Sequence, residues 1–171
     1  MRSVGGLVLF AAVIMLLRST ALSAFAARDI VVDALAFATV FWALRYGAAA
    51  GATFGFLLGL AADLDATHWL GRHALILALG GWLIGWLARR VVRESLGTQL
   101  VLIAIATAAH QLWIVPFELG GTGGLAAGWL YLAQRVLIAV LVTAPLGVVV
   151  LVIARQLIGR PIFAHALGQP G

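Results

Sequence analysis

Apolar residues run along this chain in six long blocks, and polar residues collect in the breaks between them. The first block extends from about Val4 to Phe25, with Arg18 near its far end, and Arg28 and Asp29 follow it. The second, Ile30 to Leu44, carries Asp33 near its start and closes at Arg45. The third, Gly47 to Ala62, stops at Asp63. The loop DLDATHWLGRH, Asp63 to His73, leads into the fourth block, Ala74 to Ala88. A basic turn, RRVVRE, precedes the fifth, Leu96 to Phe117, and the glycine-rich ELGGTGG precedes the sixth, Leu125 to Ala154. Residues 155–171 are broken by Gly and Pro and read as a short tail rather than a domain. Little period-2 alternation runs through these blocks, so they predict helices rather than the strands of an outer-membrane barrel.

Composition decides the medium. The 171 residues are 64% hydrophobic and 10% charged, where a soluble domain carries about a quarter charged residues. So few charges cannot cover the surface of a soluble domain. The prediction is an all-α, polytopic integral membrane protein, a compact bundle of about six transmembrane helices forming one domain. Blocks two to four fall short of the roughly 20 residues a span needs, so they must tilt little or lean on interfacial neighbours. Cysteine is absent, which excludes a disulfide framework, a thiolate metal site and a cysteine nucleophile.

The net charge of +5 is carried by arginine, with no lysine, and it speaks to orientation before it speaks to nucleic acid. With the N-terminus in the cytoplasm, Arg2, Arg45, Arg89, Arg90, Arg93, Arg155 and Arg160 fall inside, and every acid except Glu94 falls on the outer side. Both termini are then cytoplasmic. The first block also has features of a secretory signal, with Ala24-Phe25-Ala26 as a small-residue cleavage site. A single charge before the core and the awkward position of Arg18 favour its retention as a span.

The third block places Gly51, Gly55 and Gly59 on one face at i, i+4 and i+8. Helices in lipid gain no hydrophobic drive to associate, and small residues let backbones approach until dispersion contacts hold them. The stripe therefore predicts a face gripped by another helix, either within the bundle or on a partner. Gly81 and Gly85 in the fourth block offer a second small face of the same kind, and Gly124 and Gly128 a third at the start of the sixth.

Arg135 lies deeper in its block than any other charge, and a buried arginine needs a partner or a route to the interface. Asp63, or failing that Asp33, is the expected partner, fixing the third helix against the sixth. His110, beside Gln111, reads as a hydrogen-bonded core histidine. His68 and His73 flank the outer loop near Asp65 without the tight spacing of a metal site. None of Ser3, Ser19, Ser23 and Ser95 sits mid-span beside a histidine, and a P-loop and a dinucleotide fingerprint are missing. An aspartyl dyad from Asp33 and Asp63 has nothing else to support it. The sequence predicts no catalytic residue, no cofactor, no metal and no nucleic-acid partner.

The segment Val40 to Arg90 resembles the family of the rod-shape-determining protein MreD. The features that carry the likeness are a span ending in WALR (Trp42–Arg45), the helix G-x-x-x-G-x-x-x-G-L-x-x-D (Gly51–Asp63), the loop exit L-G-x-x-A-L (Leu70–Leu75) and the following helix with G-W/Y-L-x-G (Gly81–Gly85). The resemblance implies a non-enzymatic scaffold of the rod, or elongation, complex in the bacterial inner membrane. Its implied partners are the bitopic protein MreC and, directly or indirectly, RodA, a class B penicillin-binding transpeptidase and MreB filaments, within the lipid bilayer. It implies a part in cell shape and lateral peptidoglycan synthesis, and a fold like that of the six-helix substrate-binding S components of energy-coupling-factor vitamin transporters. Vitamin capture is the alternative function, with Asp65, His68, Trp69 and His73 as the polar and aromatic cluster available for it. The chain is poor in the polar residues such a pocket needs, which favours the scaffold.

Overall fold

The computed structural model describes residues 2–17, 19–20, 31–64, 70–90, 95–119 and 128–158. Every long regular element among them is a helix: α1 (Arg2–Leu17), α2 (Ala34–Tyr46), α3 (Ala48–Asp63), α4 (Arg72–Leu87), α5 (Leu96–Leu119) and α6 (Trp129–Ile158). Each falls on one of the six apolar blocks, with shifted ends. α2 starts at Ala34 rather than Ile30 because the Asp33 carboxylate caps it, accepting from the backbone N–H of Ala36 at 3.0 Å. α6 runs four residues beyond Ala154 into the expected tail. The expected extension of the first span to Phe25 lies largely outside the described residues, as do the tail beyond Ile158 and Gly124.

Among the described residues, two helices, α5 and α6, are long and apolar enough to cross a membrane. The 13 residues of α2 and the 16 each of α3 and α4 correspond to only about 20–24 Å, against a hydrocarbon core of about 30 Å. α2 is the central element, touching each of the other five helices. One of its faces joins α4, α5 and α6 in a core of Val40, Leu44, Ile84, Leu102, Ile103 and Leu151. The other joins α1, α3 and α4 around Leu35, Trp42, Phe54, Leu58 and Leu77. Trp42 stacks on Phe54 with ring centroids 4.7 Å apart, and Phe10 of α1 closes on both at 5.7 Å.

A single residue, Gly47, turns α2 into α3, with φ at +87°, a conformation that costs glycine little. α3 then packs antiparallel on α4 with their backbones nearly touching. A Cβ built on Gly51 would lie 2.7 Å from the Gly81 carbonyl oxygen, one on Gly59 2.5 Å from Ala74 Cα, and one on Gly85 2.5 Å from Ala48 Cα. The Gly55 position is tighter still, against the carbonyl of Leu77. Gly51, Gly55, Gly59, Gly81 and Gly85 thus lie in one intramolecular seam, and the helix that meets the α3 stripe is its neighbour in sequence.

Two adjacent glycines of α4 separate packing from propensity. Gly81 meets the Gly51 backbone, whereas a Cβ on Gly80 would find nothing within 4 Å. Gly80→Ala is expected to raise the thermal stability of detergent-solubilised protein, by up to about 1 kcal/mol from helix propensity. Gly81→Ala is expected to lower it. Equal responses would show that the seam does not restrict α4.

Candidate functional site: two buried aspartate–histidine pairs

Asp63 is the last residue of α3, and the chain must reverse at once to lay α4 on the glycine stripe. The reversal leaves the first N–H groups of α4 without helical partners. Gly71, at φ +94°, precedes α4 and has no side chain to cap it. The carboxylate of Asp63 fills that role from the neighbouring helix. Its Oδ2 accepts from the N–H of Gly71 at 3.0 Å and of Ala74 at 3.1 Å, and its Oδ1 from the N–H of His73 at 3.2 Å. The His73 ring adds Nδ1 at 2.8 Å to Oδ1. Asp63 has no exposed surface and His73 is 4% exposed. With four donors converging on its two oxygens, the carboxylate is an acceptor only, so His73 carries its proton on Nδ1.

Asp33 is built in the same way at the start of α2. Its Oδ2 meets His110 Nδ1 at 2.6 Å and accepts from the Gln111 side-chain amide at 2.8 Å, while its own N–H donates to the Thr143 hydroxyl at 2.9 Å. One buried residue therefore ties α2 to α5 and α6. The two histidine rings then face each other, with centroids 5.5 Å apart and planes at 54°. Trp113 of α5 donates to the Arg72 carbonyl at 3.1 Å, further fastening α5 to the start of α4. Asp63, His73, His110 and Asp33 form one buried chain of titratable groups joining four helices.

An aspartate that orients a histidine is half of a nucleophilic triad, but none of the described residues around these pairs completes it. The hydroxyl on Asp33, that of Thr143, is engaged by a backbone N–H, and Ser95 lies at the far end of α5 from His110. Among the described residues, no three His, Asp or Glu side chains are grouped to hold a metal. What the arrangement does chemically is satisfy helix ends and bind buried charge to buried donors.

The sequence points to both aspartates but to another partner for them. The expected cation was Arg135, on α6; the groups that meet the carboxylates are His73, His110, Gln111 and backbone amides. The reason is proximity: the α3–α4 reversal brings His73 and three N–H groups to Asp63 before any other helix can reach it. His110 is the hydrogen-bonded core histidine the sequence suggested. Of the polar and aromatic cluster Asp65, His68, Trp69 and His73, His73 turns inward onto Asp63 rather than lining an outer pocket, and the other three lie outside the described residues.

The family model for the rod shape-determining protein MreD matches residues 1–121, more than two-thirds of the chain. The chain belongs to the MreD family. No curated protein and no solved structure matches it. The MreD match takes in α1 to α5, the whole glycine seam and all four residues of the two pairs, and leaves α6 outside. As an MreD-family member the chain is a rod-shape-determining membrane protein.

Proposed function

We propose that this protein is a multi-pass scaffold of the rod complex in the bacterial inner membrane, with both termini in the cytoplasm. In this reading it binds an MreC-like bitopic protein and, through it or directly, helps join MreB filaments to RodA and the class B transpeptidase, guiding lateral peptidoglycan synthesis. The family match carries the reading. The use of the buried polar groups supports it: both carboxylates are spent on holding helices together, and the cavity beside them measures only about 30 Å³. A small-molecule site takes several hundred Å³. That contrast, together with the almost wholly apolar lining of the roughly 290 Å³ groove between α5 and α6, weighs against the alternative, a vitamin-binding S component.

The orientation rests on where the arginines gather. α2 and α4 run parallel, so Arg45 closes the same end of the bundle as Arg89 and Arg90, opposite Asp33 and Asp63. Arg90 lies over the Trp86 ring at 3.9 Å, an interfacial aromatic–cation pair at a helix end. Fusions placed after Arg93 and after Thr122 are expected to report cytoplasm and exterior respectively; swapped signals would reverse the topology. Affinity capture from mild detergent is expected to bring down an MreC-like protein, and depletion to round or widen rod-shaped cells. Recovery of a stoichiometric vitamin or an energising ATPase module with the protein would establish the transporter instead.

A further inference from the structure

The carboxylate of Asp33 uses one ring nitrogen of His110 and leaves the other. Nε2 is buried and has no hydrogen-bond partner among the described residues. The His110 ring also lines a small cavity between α2, α4 and α5, bounded by Ala36, Thr39, Leu77, Gly80 and Ala106 among others. At about 30 Å³ the cavity exceeds the roughly 10–15 Å³ that admits one water and is far too small for an organic ligand. Its second polar contributor is Thr39, whose hydroxyl donates to the Leu35 carbonyl at 2.9 Å and so keeps its oxygen available as an acceptor.

We propose that an internal water occupies this cavity, donating one hydrogen to His110 Nε2 and the other to Thr39 Oγ1. The direction of the bonds follows from the site. Asp33 fixes the proton on Nδ1, so neutral His110 presents a lone pair at Nε2 and the ligand must donate. A buried acceptor left bare is unfavourable, and a bound water relieves it. The titratable groups around that ring are Asp33 from the start of α2, His73 of α4, and Asp63 of α3 behind His73; α6 contributes Thr143, which does not titrate.

The test uses the full chain in nanodiscs with ¹⁵N-labelled histidine, the His110 signals being assigned by their loss in His110→Asn. The expected spectrum has His110 as the Nδ1–H tautomer, Nε2 at a hydrogen-bonded acceptor shift, and magnetisation transfer from water protons to Nε2. Thr39→Val removes the second acceptor and is expected to lose that transfer and move Nε2 towards a free-acceptor shift, while the Nδ1–Asp33 bond persists. A wild-type Nε2 at the free-acceptor shift without water transfer, or an Nε2–H tautomer, would overturn the proposal. Should Thr39→Val fail to fold, the wild-type transfer decides alone.

Discussion

Leucine at Gly55 is expected to separate α3 from α4 and to destabilise the protein by at least about 3 kcal/mol, the upper end of the cost of an overpacked core. Even a single methyl group at this position would be driven into the Leu77 carbonyl and to 3.1 Å from the Thr39 side chain. The obstacle on α4 is backbone, which cannot rotate aside as a flexible side chain can. The whole hairpin has to open, and opening it pulls Asp63 away from the first turn of α4. The sign matters more than the size. Leucine is the better helix former by nearly 1 kcal/mol, so an argument confined to α3 predicts a gain. Thermal unfolding in detergent distinguishes the two: a Gly55→Leu protein as stable as the wild type would mean that α3 does not seat on α4. Loss of MreC-like capture should follow the loss of fold rather than precede it, because the stripe faces inward.

The seam was legible because both helices announce it. Gly51, Gly55 and Gly59 repeat every four residues on α3, Gly81 and Gly85 do so on α4, and only a short loop separates the helices. Local periodicity is enough to find each small face, but not that the two meet: the third helix was expected against the sixth, and it packs on the fourth. The six apolar blocks were legible for a similar reason, since arginines and turn residues interrupt them. The aspartate–histidine pairs were not. Asp33 and His110 stand 77 positions apart, and nothing local in either segment says which way α5 faces. Asp63 and His73 are only ten apart, but their bond depends on how tightly the intervening loop closes. Charge bookkeeping then favoured Arg135, the conspicuous cation, over two histidines whose charge is conditional. Hydrogen-bonding geometry decided otherwise: a buried carboxylate at a helix start is met first by that helix's own N–H groups.

Asp63→Ala is expected to cost roughly 3–5 kcal/mol, the range for removing one member of a buried charged pair. The loss concentrates at one helix end, where the N–H groups of Gly71, His73 and Ala74 and the His73 ring would all lose their acceptor together. His73→Ala should cost less, since the carboxylate keeps its three backbone donors and loses only the ring. The two changes together should cost less than their sum, because the bond between them is broken in either single variant; contacting residues typically couple by 0.5–3 kcal/mol. The same cycle with Arg135→Gln is expected to give additive losses, as the acceptor positions of Asp63 are already filled. Unfolding of the single and double variants in detergent measures all of these quantities. A coupling between Asp63 and Arg135 larger than that between Asp63 and His73 would mean that the arginine holds α3, and that the cap on α4 is secondary.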